Sequence, residues 1–503
     1  MKLKALAVAC ALACAGQAYA VTPTTTPDVQ LFISGSSALQ NAIGQIATDM
    51  FVAGSIDELW DGTVTAATGT TPATAVPNGG SYRAYFGTFK SGTTTSGITI
   101  PASLAGKNVL IYNTAAGGSI KGVNPVALAT AVNRLTMDAT CVLSSPVVAD
   151  AVTGAANVYT CPGVTATAIP DAGVSDVEPS LLTGINLTIN AATALTTRAP
   201  TATALTAAQL ANLTVKTALG QPMGVVVTAN ATAGLQNLSK AQVESLMDGK
   251  LNVYDWNQID STIPAGTTSI VVCRRQQGSG TQASINASIF GFPCSSSALA
   301  PATAANTTVT TGTSTPIPAG SYVVIENSSS GALATCLTNV QAGTMANAVG
   351  KQAIDVTSGA LVALNAPNSV VLPVGGYGIG IMGFDRPAKA GETYVFASIN
   401  GAAATLANAV TGAYDIMVEN AFTRRTATTA GIPALTGAQL DLWNTFASSA
   451  GNPVTLGTAG HVVPGVAALS ENGFVAPATF TASNPVMRVG NSGNTCTPLF
   501  QLQ

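Results

Sequence analysis

The chain has 503 residues, of which 19 are Lys or Arg and 22 are Asp or Glu, so that only 8% are charged. Soluble domains usually carry about 25% charged residues. No basic surface suited to nucleic acid is expected, and an apolar content of 47% argues against a disordered chain. The single histidine, His461, excludes sites built from several histidines, and we expect neither a metal site nor a catalytic role for it.

The first twenty residues have the features of a secretory signal peptide. Lys2 and Lys4 lie at the start of an apolar run, and residues 18–20 (Ala-Tyr-Ala) are the small residues of a cleavage site. The run is shorter than the roughly 20 residues that a membrane span requires. A lipoprotein anchored through Cys14 is the weaker alternative, because the residues before it form a poor recognition signal. We expect cleavage near Ala20 and a soluble protein in the periplasm or outside the cell.

Removal of the signal peptide would leave six cysteines in an oxidising compartment, where disulfides are expected. Six cysteines allow fifteen connectivities, and the sequence does not choose among them. Proximity along the chain favours two pairs and leaves a third by elimination: Cys141–Cys161, Cys273–Cys294 and Cys336–Cys496. Free buried thiols are the alternative.

Four segments share the order strand, small-residue turn and helix. The strands are predicted at residues 29–33, 108–112, 268–273 and 322–325, and the turns at residues 34–37, 115–119, 274–281 and 328–331. The helix after the second turn is predicted from the spacing of Val126, Leu128, Val132 and Leu135. Strands that alternate with helices indicate an α/β fold. A turn at a helix N-terminus also presents free N–H groups to an anion.

Three long stretches of Ala, Thr and Gly carry few charges and little helical periodicity. They are residues 63–80, 139–170 and 188–208. We interpret them as β-rich surface insertions and expect the second to be a hairpin closed by Cys141–Cys161. The enrichment in Ala and Thr does not repeat at a fixed period, so a β-solenoid is not predicted.

The segment from Arg275 to Thr281 carries the strongest indication of a binding site. The arginine offers forked donors for an oxyanion, Ser279 and Thr281 offer hydroxyl donors, and Gly280 lets the backbone approach a ligand closely. A glycine-rich turn with a solvated arginine is the structural alternative.

Two other motifs are ambiguous when taken alone. In residues 171–179, Ser175 and Asp176 are suited to cap a helix, but Asp176 is also suited to accept a hydrogen bond from a protonated ligand oxygen. Residues 378–383 match the dinucleotide pattern GxGxxG, yet Pro387 follows where a helix should begin. We therefore predict that residues 370–384 form a buried strand.

In their order, these segments resemble the phosphate-binding protein family of bacterial phosphate ABC transporters, which has the type 2 periplasmic-binding-protein fold. The resembling segments are residues 33–39, 117–121, 173–177, 238–259, 271–281, 375–384 and 399–414. They cover about residues 31–425, and the insertions make this chain much longer than a typical member. The resemblance implies these ligand-binding residues: Ser36, Ser37, Ala38, Gly118, Ser119, Ser175, Asp176, Arg275, Gln277, Ser279, Gly280 and Thr281.

The chain departs from that family in the arginine loop. Members usually have an aspartate two residues after the arginine, where this chain has Gln277. A carboxylate there accepts the proton of hydrogen phosphate and repels fully ionised oxyanions, whereas an amide donates as well as accepts. Asp176 is the remaining candidate acceptor.

We therefore predict a two-lobed α/β fold with crossover strands between the lobes. Residues 21–219 and 393–503 would form lobe I and a C-terminal extension, and residues 220–392 would form lobe II. The expected function is non-catalytic capture of a small oxyanion, phosphate first, without cofactor or metal. The expected partner is an ABC transporter permease, and the expected state is a monomer.

Three alternatives stay open on the sequence. One is a secreted phosphohydrolase on the same scaffold, although the chain lacks a His/Asp metal cluster. Another is a surface or matrix protein that keeps the fold without the ligand, which the insertions and Gln277 favour. The third is a binder for a different oxyanion.

Overall fold

The computed structural model describes most of the chain after the first 21 residues. The described residues are 22–65, 74–78, 80–144, 154–187, 202–248, 255–296, 315–316, 322–343, 345–346, 352–354, 361–363, 369–371, 375–457 and 465–501. The predicted signal peptide, His461 and parts of all three predicted insertions lie outside these residues. None of the described helices is long and apolar enough to cross a membrane.

Helices form where apolar residues recur at a spacing of three or four. In the first helix, for example, Ile43, Ile46 and Ala47 are fully buried along one side. The helices are α1 Gln40–Thr48, α2 Ile120–Leu128, α3 Ala207–Ala211, α4 Lys240–Asp248, α5 Gly280–Ser288, α6 Ser330–Ala342, α7 Leu406–Val410, α8 Gly437–Ala450 and α9 Pro453–Gly457.

The strands of the first half of the chain are β1 Val29–Gly35, β2 Asp57–Thr65, β3 Thr74–Pro77, β4 Tyr82–Thr88, β5 Asn108–Thr114, β6 Val132–Leu135, β7 Val142–Leu143, β8 Asn157–Cys161, β9 Val164–Ala168, β10 Ala172–Ser175, β11 Leu213–Thr228 and β12 Asn237–Leu238. Those of the second half are β13 Ile270–Arg275, β14 Thr315–Pro316, β15 Tyr322–Asn327, β16 Met345–Ala346, β17 Gln352–Ile354, β18 Leu361–Ala363, β19 Ser369–Val371, β20 Tyr377–Gly383, β21 Tyr394–Phe396, β22 Ser398–Ile399, β23 Met417–Arg425, β24 Ala467–Leu469, β25 Val486–Met487, β26 Val489–Gly490 and β27 Phe500–Gln501.

Two sheets share the long strand β11. In the first sheet, β1 lies parallel to both β5 and β10, and β23 joins β10 to the first part of β11. In the second sheet, β20 joins the last part of β11 to β13, and β13 lies parallel to β15. The α/β class and a crossover strand between two sheets are therefore confirmed. The predicted lobe boundaries at residues 220 and 393 remain predictions.

Each sheet has its own apolar core, and a further cluster lies where the two meet. The cluster between the sheets contains residues of α2 and of the segment 177–187, which follows β10 of the first sheet. It also contains Ala283 and Ala287 of α5, which follows β13 of the second sheet. Helix α5 is therefore buried against elements of both sheets.

The helix predicted after the second turn is shorter than expected. Helix α2 ends at Leu128, and Ala129 adopts a left-handed conformation (φ 52°) that cannot continue it. Val132 and Leu135 lie in β6 and pack on the first sheet, so their assignment to a helix was wrong. The strand predicted at residues 370–384 is confirmed in part, as β20, which is shorter and is buried along most of its length.

One of the three predicted disulfides is confirmed, and two are wrong. Cys141 is bonded to Cys161, and β7 and β8 beside them form an antiparallel pair. The other bonds are Cys273–Cys336 and Cys294–Cys496. Helix α6 packs on β13 and brings its Cys336 to the strand that carries Cys273. Cys294 lies beyond the far end of α5, so proximity along the chain misled the prediction.

Candidate functional site

Four loops between a strand and a helix lie at the carboxyl ends of parallel strands. The first (residues 35–39) leads from β1 to α1 and the second (residues 115–119) from β5 to α2. The third (residues 276–279) leads from β13 to α5 and the fourth (residues 328–329) from β15 to α6. The two pairs of loops meet, because the N–H of Ile120 donates to the carbonyl of Gly278 at 3.1 Å. Four helix N-termini therefore converge on one region, where their dipoles favour negative charge.

Arg275 ends β13, directly before the third loop, and contacts the first and the fourth loops. Its Nη2 donates to Ser37 Oγ in the first loop at 3.1 Å and to the carbonyl of Ser328 in the fourth at 3.1 Å. Its Nη1 donates to Ser330 Oγ at 3.2 Å. The side chain is only 2% exposed. A guanidinium is thus fixed in the interior with its forked donors directed at small hydroxyl side chains and a carbonyl.

The charge of Arg275 is not matched by an adjacent carboxylate. Among the described residues, no carboxylate oxygen comes within 4 Å of this guanidinium. Burial lowers the pKa of Arg275 to about 10, and the charge of Asp176 partly opposes this. The side chain therefore stays protonated at neutral pH. A buried charge without a close partner is costly, and a bound anion would remove that cost.

Asp176 follows β10 and accepts hydrogen bonds from both sides of the region. Ser36 of the first loop donates to Oδ1, and Thr281 Oγ1 of α5 donates to Oδ2 at 3.1 Å. Its backbone N–H donates to Ser119 Oγ of the second loop at 3.1 Å. Burial raises the pKa of Asp176, while the bond from Ser36 and then the charge of Arg275 lower it.

Two glycines allow the loops to touch. A Cβ on Gly280 would lie 2.2 Å from Ser119 Oγ, so no larger residue fits at the start of α5 without displacement of the second loop. Gly118 has a φ of 76°, and a Cβ there would lie 2.9 Å from the carbonyl of Gly278. The sequence pattern of small residues in these turns thus has a direct structural cause.

The remaining predicted residues differ in what they contact. Ser175 Oγ accepts from the N–H of Val177 at 3.2 Å, which is a local turn contact. Ser279 precedes α5 without a side-chain capping bond. The N–H of Ala38 donates to Ser36 Oγ at 3.0 Å. Gln277 is buried, and its Oε1 has no hydrogen-bond partner within the described part of the chain.

Sequence reasoning missed a second layer of residues behind the loops. Gln221 lies on β11 between the two sheets, and its Nε2 donates to the carbonyl of Ala38 at 3.1 Å and to Asp385 Oδ1 at 3.0 Å. Burial raises the pKa of Asp385 to about 7, and the charge of Asp176 adds to this. Asn186 accepts from the N–H of Gly278 at 3.2 Å. None of these residues stands in a recognisable motif.

The donor set of the region suits an anion rather than a metal ion. Guanidinium, hydroxyl and N–H groups dominate it, and a hard cation would require several oxygen acceptors. In the part of the chain that the structure describes, no three His, Cys, Asp or Glu side chains are placed to hold a metal ion.

Comparisons with known proteins give only distant structural likenesses. An ABC-type phosphate transport receptor from Vibrio cholerae aligns at 11% identity, with 59% of this chain and 81% of that chain covered and a TM-score of 0.30. PstS from Borrelia burgdorferi aligns at 10% identity, with 57% and 77% covered and a TM-score of 0.27. No family model and no curated protein matches the chain. At these scores the likeness assigns neither family nor ligand.

Proposed function

We propose that this chain is an exported, non-catalytic solute-binding protein that captures a small oxyanion, with phosphate as the first candidate. The observation that carries the proposal is the buried Arg275 guanidinium, which has no close carboxylate among the residues that the structure describes and lies where four helices begin. Such a place attracts negative charge through both the guanidinium and the helix dipoles. The helices that begin there follow strands of two different sheets.

Ligand capture would exchange internal hydrogen bonds for bonds to the anion. Arg275 now donates to Ser37 Oγ, and the hydroxyls of Ser36 and Thr281 donate to Asp176. These groups are buried, apart from the half-buried Ser37, and they link the two sheets. The ion would therefore enter when the sheets move apart and be enclosed when they return. A charge-assisted hydrogen bond contributes roughly 1.5–3 kcal/mol. A few of them are enough for micromolar affinity after the ordering costs.

Asp176 favours an oxyanion that keeps a proton. Its carboxylate can only accept while it is ionised, so it pairs with the hydroxyl of hydrogen phosphate and repels sulfate, which carries no proton at neutral pH. Gln277 stands where the phosphate-binding proteins that the sequence resembles usually have an aspartate. Selectivity for phosphate would therefore depend on Asp176.

The cellular role would be delivery of the ion from outside the cytoplasmic membrane. The expected signal peptide supports this location, and so do three disulfides, since disulfides persist in oxidising compartments. An ABC transporter permease is the partner that the sequence resemblance implies, with the binding protein as a monomer.

A thermal-shift screen of the mature chain tests the proposal. Phosphate, arsenate, sulfate and molybdate would each be added to chloride buffer at matched ionic strength. A ligand at 100 times its Kd stabilises the native state by about 2.7 kcal/mol. We expect phosphate and arsenate to raise the Tm more than sulfate and molybdate. No shift with any of the four ions would contradict oxyanion binding, and a larger shift with sulfate would contradict the choice of phosphate.

A further inference from the structure

The C-terminal strap, residues 489–496, runs from strand β23 of the first sheet to both sides of the candidate site. It first contacts β23, where the N–H of Gly493 donates to Glu419 Oε2 at 2.6 Å. Thr495 then binds Glu178 through two bonds, from its N–H at 2.9 Å and from its Oγ1 at 2.7 Å. The next residue, Cys496, is bonded to Cys294.

These two neighbouring anchors belong to opposite sides of the site. Glu178 is two residues beyond Asp176, on the loop that follows β10 of the first sheet. Cys294 is six residues beyond Ser288, the last residue of α5, whose first turn donates from Thr281 to Asp176. The strap therefore connects the loop that carries the acceptor to the helix that carries a donor.

The same two sides are also in direct contact. Asn286 Nδ2, in the last turn of α5, donates to Asn186 Oδ1 at 2.7 Å. Ala283 and Ala287 of this helix pack with Val177 and Leu181 in the apolar cluster between the sheets. These contacts involve no ligand, so the closed arrangement has its own source of stability.

We propose that the strap is a latch that holds the two sides of the site together and slows the exchange of the bound anion. The proposal rests on the proposed function. To admit an ion, the Asp176 loop and α5 must separate, and the strap limits this as long as Thr495 holds Glu178 and Cys496 holds Cys294. The latch acts on the closed state with or without the ion. It therefore slows uptake and release alike and leaves the Kd nearly unchanged.

Exchange of radiolabelled phosphate from the loaded protein tests the latch. The double variant Cys294→Ser/Cys496→Ser is expected to release phosphate about tenfold faster or more, with a Kd within about threefold of wild type, since changes confined to the barrier alter both rates together. The double variant Cys141→Ser/Cys161→Ser is the matched control, because it removes a disulfide that lies in a hairpin of the first sheet. Equal release rates in the strap variant and wild type would overturn the latch.

A measurement without ligand separates this proposal from the proposed function. Amide hydrogen exchange of residues 276–287 in phosphate-free protein is expected to be faster in the strap variant than in wild type and the control. That result supports the latch even if wild type binds no phosphate, and unchanged exchange overturns it. Thr495→Val keeps the disulfide and removes one bond to Glu178, so it gives the same readout, with a smaller acceleration, if the double variant does not fold.

Discussion

Thr281 Oγ1 donates to Asp176 Oδ2 at 3.1 Å, and this bond joins a helix of the second sheet to a loop of the first. The same carboxylate accepts from Ser36, which belongs to the first sheet. An internal carboxyl group thus accepts from hydroxyls that would donate to a bound oxyanion under the proposed function. Under the proposed function, Asp176 would both stabilise the closed arrangement and shape the choice of ligand, and substitutions around it should separate these two effects.

Arg275 and Arg274 are adjacent arginines with different contacts, which makes them a matched pair for substitution. Arg275→Lys keeps the charge but loses the fork that reaches Ser37, Ser328 and Ser330. We expect phosphate affinity to fall about 10- to 100-fold in calorimetry, as for the loss of one charge-assisted hydrogen bond or slightly more. Arg275→Ala should abolish binding.

Arg274→Lys is the control for Arg275→Lys. Arg274 lies on the opposite face of β13 and pairs with Glu326 at 2.5 Å, a contact that lysine can keep. Its phosphate affinity should stay close to that of wild type. Equal losses in the two lysine variants would mean that Arg275 acts through the fold and not on the ligand.

Asp176→Asn should change which oxyanion is preferred. The amide offers a donor where the carboxylate could only accept. We expect phosphate affinity to fall and sulfate affinity to rise, each by about tenfold, which corresponds to about 1.4 kcal/mol. Competition calorimetry with both ions measures the ratio. Asp171→Asn is the control, because Asp171 accepts from the N–H of Phe32 at 2.8 Å and an amide oxygen can do the same. An unchanged ratio in Asp176→Asn would show that Asp176 does not set the selectivity.

Gly280→Ala tests how closely the loops must approach. The added methyl group would overlap Ser119 Oγ, and overpacking of this kind costs about 1–3 kcal/mol. We expect lower stability in urea unfolding and loss of phosphate binding. Gly331→Ala also changes a glycine in the first turn of a helix at the site, but its nearest atom is Ser329 Oγ at 3.8 Å. That variant should gain about 0.5 kcal/mol and bind normally. If Gly280→Ala and Gly331→Ala had the same stability and the same phosphate affinity, the close contact between Gly280 and Ser119 would not be required for either property.

Asp385 should make the protein less stable as the pH rises. Burial raises its pKa to about 7 in the folded state, whereas an aspartate in an unfolded chain titrates near 3.9. Between these values the unfolded state loses the proton first, so the free energy of unfolding decreases with pH and levels off above pH 7. Asp385→Asn removes this titration and still accepts from Gln221.

Urea unfolding of Asp385→Asn at pH 4.5 and pH 8 measures that effect. Each unit of pKa elevation corresponds to about 1.4 kcal/mol, and partial solvent contact reduces this, so we expect a gain of about 1–2 kcal/mol at pH 8 and a smaller one at pH 4.5. Asp138→Asn should show no gain, since hydrogen bonds from Thr140 lower the pKa of the exposed Asp138. A uniform effect at both pH values would refute the titration of Asp385.

The loops of the site were predictable because their signals are local. A buried strand, a turn of Gly and Ser and a helix appear consecutively in the sequence, as at Val29–Gly35 and Gln40–Thr48. The close approach of Gly280 to Ser119 also leaves a local trace, since only a small residue fits there. The geometry that these segments share follows from parallel pairing of their strands, which places all the loops at the strands' carboxyl ends.

The incorrect predictions concern contacts between distant segments. Cys273 is bonded to Cys336 because parallel pairing of β13 and β15 places α6 over β13, and no local pattern records that packing. Gln221 was missed because its role depends on where β11 passes between the sheets. Val132 and Leu135 were assigned to a helix because a spacing of three residues also occurs in an irregular strand.

Equilibrium dialysis of labelled phosphate against the mature chain and its Arg275→Ala variant is the most direct test of oxyanion capture. The incubation must be long enough for slow exchange to reach equilibrium. Our account predicts saturable binding of one ion per chain for wild type and none for the variant. No binding by folded wild type, or equal binding by the variant, would contradict it.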